Sequence, residues 1–154
     1  MLFQWLKPIE NPLVRPFYQA HLPYSRPNKA DCIAVLRHQQ AIVACARLRP
    51  IGEFTLLTGM LVDPQYRGQG LGHQLLQQMH SHFKPGYTFA FALPALENFY
   101  LQHGFSLVST APNDIQQRYV AYQQQGKELR LLGYRGIDLA PLQTDYLYND
   151  CDIR

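Results

Sequence analysis

The sequence predicts an α/β domain in which helices cover both faces of a mixed, mostly antiparallel sheet of six or seven strands. Two apolar runs at 32–37 and 41–48, separated by a short polar segment, are typical of a β-hairpin. A helical pattern at 71–83 lies between two further apolar runs, which indicates a strand–helix–strand unit. With 154 residues, 47% of them hydrophobic and 16% charged, the chain can bury one core. We therefore expect one domain over 1–154, in which no pattern places the tail from about 136 to 154.

The N-terminal part begins with a proline-rich segment. Asn11, followed by a proline, has the pattern of a helix start, and this helix would run through His21 before further prolines end it. A loop at 25–31 then leads into the hairpin. A third apolar run at 54–62 is interrupted by Gly59, which indicates a β-bulge or the close approach of another backbone segment.

The C-terminal part alternates helices and strands. Along the helix at 71–83 the apolar residues fall on one side, and Gly72 lies in the middle of that side, which would let the helix approach a sheet closely. The run at 87–93 is apolar throughout, as is typical of a strand buried on both faces. The remaining elements follow in order: a helix at 95–102 ended by Gly104, a strand at 105–109, a helix from Pro112 to Gly126 and a strand at 128–134.

The composition excludes several classes of protein. A net charge of +3 is too small to require nucleic acid as a partner. No apolar run approaches the length of about 18 residues that a membrane span needs, and the apolar N-terminus is too short for a signal peptide. Three cysteines without a CxxC spacing argue against a disulfide scaffold and against a structural zinc site. We therefore expect a cytoplasmic protein that binds neither nucleic acid nor membranes.

Three histidines on or near the predicted helix, at positions 73, 80 and 82, raise the question of a metal site. His80 and His82 are two residues apart, and such residues do not face each other on a helix. Their spacing therefore predicts no metal site.

The segment at 62–72, Val-Asp-Pro-Gln-Tyr-Arg-Gly-Gln-Gly-Leu-Gly, carries the most informative pattern. A strand ends there, a turn follows, and a glycine-spaced loop enters a helix. The first amides of a helix have no acceptor within it and lie at the positive end of its dipole. Glycines let a ligand approach such amides without interference from a Cβ atom. The segment therefore predicts a loop that binds a pyrophosphate.

Three phosphate-binding patterns compete for this segment. A P-loop requires Gly-Lys-Ser/Thr where this chain has Gly-His-Gln, so it is excluded. A dinucleotide fingerprint requires GxGxxG and an acidic residue about 20 residues later, and neither is present. The third pattern is Arg/Gln-x-x-Gly-x-Gly/Ala after a Val-x-Pro turn. It is matched by the five residues that it requires: Val62, Pro64, Arg67, Gly70 and Gly72.

With this third pattern the sequence resembles the GCN5-related N-acetyltransferase superfamily. A second block, Phe-Tyr-Leu-Gln-His-Gly-Phe at 99–105, is similar to the family's Phe-Tyr-x-x-x-Gly-Phe, which closes the helix after the fifth strand. The resemblance covers roughly 32–105. It implies the fold of this superfamily, so that 1–154 would form a single acetyltransferase domain.

The resemblance implies acetyl-CoA, or another acyl-CoA, as co-substrate, with no metal. Loop amides would hold the pyrophosphate, and the end of the fourth strand would pair with the pantetheine as an extra strand. In the family the fourth and fifth strands splay apart, and the thioester enters the gap. Arg67 is either a phosphate partner or a solvated loop cation. The residues implied in cofactor binding are Met60, Leu61, Val62, Arg67, Gly68, Gln69, Gly70, Leu71, Gly72 and His73.

The resemblance also assigns Tyr100 as the general acid. A phenol with a pKa of about 10 is protonated at neutral pH and can protonate a departing thiolate. Family members often use a glutamate near the fourth strand as the general base, and Glu53 precedes that strand here. An asparagine that contacts the cofactor in some members is replaced by Leu93, so that contact is not inherited. An amide near Leu61 or Val62 would polarise the thioester carbonyl.

These inferences predict an N-acetyltransferase that transfers an acetyl group from acetyl-CoA to a primary amine by direct attack in a ternary complex. One alternative is a non-catalytic acyl-CoA-binding module that senses metabolite level. Another is a protein-directed enzyme that acetylates lysine or N-terminal amines, which an acidic groove would favour; the acids from Asp138 to Asp152 are a slight indication of one. The sequence does not specify whether the acceptor is a small-molecule or a peptide amine, and it is compatible with a homodimer.

Overall fold

The computed structural model describes residues 1–137, and the sequence-based expectations for the C-terminal tail fall almost entirely outside that range. The elements in chain order are β1 (Leu2–Trp5), α1 (Arg15–His21), β2 (Cys32–His38), β3 (Ala41–Ile51), β4 (Phe54–Val62), α2 (Leu71–Met79), β5 (Thr88–Ala92), α3 (Glu97–Leu101), β6 (Phe105–Leu107), α4 (Asn113–Gln124) and β7 (Arg130–Tyr134). Short 3₁₀ helices cover Pro8–Val14, Pro64–Tyr66, His80–His82 and Pro94–Leu96.

The strands form one seven-stranded sheet in the order β1-β2-β3-β4-β5-β7-β6. The pair β4–β5 is parallel, and the other pairs are antiparallel. This confirms the predicted mixed, mostly antiparallel sheet. The seventh strand is β1, which sequence analysis did not place. It pairs with β2 from Leu2 opposite Arg37 to Trp5 opposite Ala34.

Helices cover both faces of the sheet, as predicted. On one face α1 and the 3₁₀ helix before it bury Val14, Phe17 and Tyr18 against β2, β3 and β4. On the other face α2 buries its apolar side within the largest core cluster; its buried residues are Leu71, Leu75, Leu76 and Met79. A third cluster forms where Ile115 of α4 packs against Ile51, Leu56, Phe89 and Leu131.

The N-terminal helix differs from the prediction. α1 begins at Arg15, and Pro8–Val14 before it forms a 3₁₀ helix. Proline has no N–H to donate, so a proline-rich segment cannot build the regular hydrogen bonds of an α-helix. Asn11 is therefore not the start of an α-helix, which corrects the prediction. Its Nδ2 atom instead donates a 3.3 Å hydrogen bond to the carbonyl of Asp31.

The other predicted helices and strands are present, several with shorter ends. α2 stops at Met79, and a 3₁₀ turn at His80–His82 completes the helix that was predicted to reach residue 83. Across residues 1–137 the structure contains no helix with the length and apolar character to cross a membrane.

β4 contains the bulge that Gly59 indicated. Cys45 of β3 lies opposite Leu61, whereas Arg47 lies opposite Thr58, so β4 has one more residue than β3 between these pairs. Gly59 has a φ of +66°, which favours glycine because a side chain strains this left-handed conformation. The prediction of a bulge at this glycine is therefore confirmed.

β4 and β5 pair only at their beginnings. Thr55–Leu57 is in register with Thr88–Ala90, and the register does not continue into the second halves of the two strands. The end of β4, from the bulge to Val62, is therefore left without a strand on its β5 side. This opening in the sheet lies beside the loop that leads into α2.

Candidate functional site

A cavity of about 680 Å³ opens where the end of β4, the loop before α2 and the segment before α3 meet. Three separate parts of the chain form its mostly apolar wall. Its lining residues are Met60, Leu61, Val62, Tyr66, Arg67, Gly68, Gly70, Leu71, Gly72, His73, Leu93, Ala95, Leu96 and Phe99.

Side-chain hydrogen bonds fix the shape of the loop between β4 and α2. The carboxylate of Asp63 accepts a 2.9 Å hydrogen bond from the amide of Gln65, which stabilises the turn after β4. The Nε atom of Arg67 donates 3.1 Å back to the carbonyl of Val62. The Arg67 side chain is exposed and stays at the cavity wall, so it both closes the loop and brings a positive charge to the cavity.

The first turn of α2 presents backbone donors at the cavity. Gly70 begins the helix with a φ of +76°, and the amide of Gln74 donates 3.0 Å to its carbonyl. The amides of Leu71, Gly72 and His73 precede that hydrogen bond and have no acceptor within the helix. Together with the positive end of the helix dipole, these amides fit an anion such as a pyrophosphate.

Gly72 allows the helix start to lie against the opposite wall. A Cβ atom on Gly72 would lie 3.2 Å from Cζ of Phe99 and 3.3 Å from Cε of Met60, tighter than ordinary van der Waals contact. The absence of a side chain therefore sets the spacing between α2, β4 and α3 around the cavity, as the glycine in the apolar side of the helix predicted.

A protein-family model of the acetyltransferase (GNAT) domain matches residues 29–107, just over half of the chain. The chain belongs to the GNAT acetyltransferase family. The predicted resemblance is thereby confirmed, and the GNAT match spans β2 to β6, which include the whole cavity wall.

Solved structures share the GNAT fold. Escherichia coli ElaA has a TM-score of 0.65 at 18% identity, with 87% of this chain and 99% of that chain covered. Rv2747 from Mycobacterium tuberculosis, in complex with CoA and NLQ, has a TM-score of 0.65 at 12% identity, with 89% of this chain and 100% of that chain covered. Neisseria gonorrhoeae N-acetylglutamate synthase, complexed with coenzyme A and N-acetyl-glutamate, has a TM-score of 0.62 at 18% identity, with 90% of this chain and 36% of that chain covered. No curated protein sequence matches the chain.

The structure brings most of the predicted cofactor-binding residues of this GNAT domain to one cavity. Nine of the ten line it, from Met60 through His73, and the exception is Gln69, which is exposed at the tip of the loop and not part of the lining. Sequence reasoning missed five lining residues: Tyr66, Leu93, Ala95, Leu96 and Phe99. Phe99 lies in the second family block, so that block held a signal for it. Leu93 stands where some family members have a cofactor-contacting asparagine, and Tyr66 lies within the segment at 62–72, so both positions also held a signal. Ala95 and Leu96 carry no pattern that separates a cavity wall from ordinary packing.

Tyr100 lies behind the cavity wall. It is 5% exposed and packs in the core beside Phe105, with ring centroids 5.9 Å apart, while its neighbour Phe99 lines the cavity. Burial raises the pKa of Tyr100 to about 12. The phenol therefore keeps its proton across the neutral range.

Glu53 is not brought to the cavity. It lies in the exposed turn between β3 and β4, at the end of β4 that is remote from the cavity. The strand separates it from Met60 by about 20 Å of extended backbone. Its position before the fourth strand suggested a general base, but it precedes the end of the strand that does not line the cavity. We therefore give Glu53 no part in the mechanism.

A chain of three imidazoles runs inward from the cavity. His73 Nδ1 lies 2.8 Å from His103 Nε2, and His103 Nδ1 lies 3.1 Å from His80 Nε2. Burial lowers the pKa of His80 to about 4. The pKa of His103 is lowered to about 3, mainly by burial and further by the neighbouring His80 and His73. The two inner rings are therefore neutral at pH 7. The contact between His73 and His103 ties the first turn of α2 to the turn after α3.

Proposed function

We propose that this protein is an N-acetyltransferase that transfers an acetyl group from acetyl-CoA to a primary amine by direct attack in a ternary complex. The observation that carries the proposal is the cavity in which amides without acceptors at the start of α2 lie beside the end of β4, which has no partner strand on its β5 side. Membership of the GNAT acetyltransferase family supports it, and so does CoA in the Rv2747 and N-acetylglutamate synthase complexes.

The residues present fit the pyrophosphate and the pantetheine of coenzyme A. Donors from Gly68 to His73 suit the pyrophosphate, because the start of α2 leaves amides without acceptors and the glycines leave them accessible. The end of β4, from Met60 to Val62, suits the pantetheine, whose amides can pair with a strand edge. The apolar wall at Leu96 and Phe99 would exclude water from the pantetheine. Acetyl-CoA would supply the acetyl group as an activated thioester.

In this mechanism the protein orients two substrates and donates a proton to the leaving thiolate. The neutral amine attacks the carbonyl carbon of the thioester from the side of the sheet opposite α2. An amide of β4 near Leu61 or Val62 donates to the carbonyl oxygen as negative charge develops there. We assign Tyr100 as the general acid that protonates the departing thiolate, because it lies in the second family block beside Phe99 of the wall and keeps its proton at neutral pH. The proton that the attacking nitrogen loses as the amide forms would restore the phenol.

Calorimetry and thiol release test this function separately. We expect acetyl-CoA to bind the full chain with a measurable heat, and coenzyme A to be released as free thiol when amines are added. No heat at millimolar acetyl-CoA would contradict the proposal as a whole. Binding without thiol release for any amine or lysine peptide would point instead to a module that binds acyl-CoA without catalysis.

A further inference from the structure

A second cavity, of about 590 Å³, lies on the α1 face of the sheet and is lined by basic residues. α1 and the loop that follows it form its wall. Two arginines and no acidic residue are among its lining residues, which are Arg15, Tyr18, Gln19, Pro23, Ser25, Arg26 and Pro27. Arg15 and Arg26 are both exposed, so their guanidinium groups are available to a bound anion.

Behind this cavity two further arginines share one carboxylate. Arg47 Nε lies 3.0 Å from Asp31 Oδ2, and Arg49 Nε lies 2.8 Å from Asp31 Oδ1. The side chains of Asp31 and Arg47 are 0% and 2% exposed, and that of Arg49 is 22% exposed. Two guanidinium groups against one carboxylate leave an excess positive charge where solvent screens it poorly.

This cluster also fixes the cavity wall. Arg47 Nη2 donates to Ser25 Oγ at 3.1 Å and to the carbonyl of Arg26 at 3.3 Å, and Arg49 Nη2 donates to the same carbonyl at 3.0 Å. Ser25 and Arg26 both line the cavity. The loop that carries the exposed Arg26 is therefore held in place before any ligand arrives, which reduces the entropy lost on binding.

The basic cavity adjoins the place where the acetyl group would be transferred. Tyr18 lines the cavity, and its hydroxyl donates a 2.6 Å hydrogen bond to the carbonyl of Gly59. Gly59 is the bulge residue at which β4 leaves β5, and the next residue, Met60, lines the cofactor cavity. Tyr18 therefore links the basic cavity to the bulge, and the residue after the bulge lines the cofactor cavity.

We propose that the basic cavity is the acceptor site and that the acceptor is a small amine that also carries a carboxylate, as a free amino acid does. The proposal rests on the proposed acetyltransferase function. Arg15 and Arg26 would bind the carboxylate by charge-assisted hydrogen bonds, in a field made more positive by Arg47 and Arg49. The amine would then face the bulge. A lysine-rich peptide would bring further positive charge to a positive surface, which the same electrostatics disfavour.

The test compares matched acceptors that differ only in the carboxylate. Thiol release from acetyl-CoA is measured with the common amino acids, with their carboxamides and with lysine-rich peptides. We expect turnover of one or more amino acids, and a kcat/KM at least tenfold lower for the matching carboxamide. Equal or faster turnover of carboxamides or peptides would overturn the proposal. So would the absence of turnover with every amino acid.

Two variants test whether the carboxylate of the acceptor binds in this cavity. Arg15→Gln and Arg26→Gln should each raise the KM for the preferred amino acid about tenfold, the loss expected for one charge-assisted hydrogen bond. The KM for acetyl-CoA should not change, and the KM for the carboxamide should rise less than the KM for the amino acid. Arg118→Gln is the matched control, because Arg118 is also exposed but lines a separate cavity beside α4. An unchanged KM in both variants would place the carboxylate elsewhere and overturn the assignment.

Calorimetry with acetyl-CoA distinguishes failure of this inference from failure of the proposed function on which it rests. Heat from acetyl-CoA, together with transfer to carboxamides that equals or exceeds transfer to the matching amino acids, leaves the acetyltransferase function standing and rejects the carboxylate-binding site. No heat from acetyl-CoA and no thiol release reject both.

Discussion

The hydroxyl of Tyr18 lies 2.6 Å from the carbonyl oxygen of Gly59, so a helix on one face of the sheet holds the bulge in β4. The same hydroxyl lies 3.2 Å from Cys45 Sγ, and the guanidinium carbon of Arg47 lies 4.5 Å from the centre of the Tyr18 ring. A Cβ atom on Gly59 would fall on the Arg47 guanidinium. The bulge is thus set by packing from one side, while its other side faces the gap between β4 and β5.

Tyr18→Phe should loosen this bulge. The substitution keeps the ring but leaves the Gly59 carbonyl without its donor, which costs about 1–2 kcal/mol of unfolding free energy and lowers Tm by several degrees. Turnover should fall more than stability explains, because the β4 amides that would face the thioester in the proposed mechanism follow the bulge. Thermal denaturation and thiol release measure the two effects.

Tyr119→Phe is the control for that variant. Its hydroxyl donates 2.7 Å to the carbonyl of Leu129, away from both cavities, so the substitution should cost similar stability and leave turnover intact. Equal turnover in the two variants would show that the Tyr18 hydroxyl has no role in placing the bulge.

Local patterns predicted most of the fold, and long-range contacts account for what they missed. The hairpin, the bulge at Gly59 and the strand–helix–strand unit each follow from apolar spacing and a glycine within one short segment. β1 has only four residues and is stabilised by pairing with the edge of β2. No pattern within those four residues predicts that pairing. α1 starts later than predicted because prolines in the segment before it favour a 3₁₀ helix.

The same distinction holds for the candidate site. Its loop was predictable, because the residues that shape it are contiguous from Val62 to Gly72. The pairing of Asp31 with Arg47 and Arg49 was not, since each is an ordinary charged residue until the sheet brings them together. The histidine chain was also missed. The spacing along one helix described His80 and His82, whereas the structure places His103, from the turn after α3, within hydrogen-bond distance of both His80 and His73.

Gly70→Ala should weaken acetyl-CoA binding through backbone strain. Gly70 has a φ of +76°, and a Cβ atom there would meet nothing within 4 Å, so the cost comes from conformation and not from crowding. A left-handed alanine costs about 1–2 kcal/mol, and relief of that strain would move the amides of the loop. We expect the Kd for acetyl-CoA to rise about tenfold or more, as measured by calorimetry.

Gly126→Ala separates loop geometry from general destabilisation. Gly126 has a φ of +82° and equally open surroundings, but it follows α4 and does not line the cofactor cavity. Both variants should lose similar stability, and only Gly70→Ala should lose affinity. If Gly126→Ala weakened acetyl-CoA binding as strongly, the loop amides would not be the pyrophosphate ligands.

The buried histidines should make stability fall on mild acidification. In the unfolded chain His80 and His103 take up protons near pH 6.5, whereas burial holds the pKa of His80 at about 4 and that of His103 at about 3 in the folded chain. The unfolded state therefore binds more protons between these values, and the unfolding free energy decreases as pH falls from about 6.5 towards 4. His80 alone accounts for roughly 3 kcal/mol across that window. Urea denaturation at pH 7, 6 and 5 measures the slope.

Two substitutions check that the slope comes from the buried ring. His80→Gln removes one of the two buried titrating groups and should reduce the slope between pH 7 and 5 by about half, because His103 still contributes. His38→Gln removes an exposed histidine at the end of β2 and should leave it unchanged. A flat wild-type profile over this range would mean that the imidazole chain is not buried as described.

Tyr100→Phe tests the proposed general acid. The substitution keeps the ring that packs beside Phe99 and Phe105, so the fold and the Kd for acetyl-CoA should change little. Without the phenol the thiolate must leave unprotonated or take its proton from water, and kcat should fall about a hundredfold or more. The loss should appear in kcat and kcat/KM alike, because the proton is transferred only in the transition state. Steady-state thiol release across acetyl-CoA concentrations separates the two constants, and a kcat equal to that of the wild type would remove Tyr100 from the mechanism.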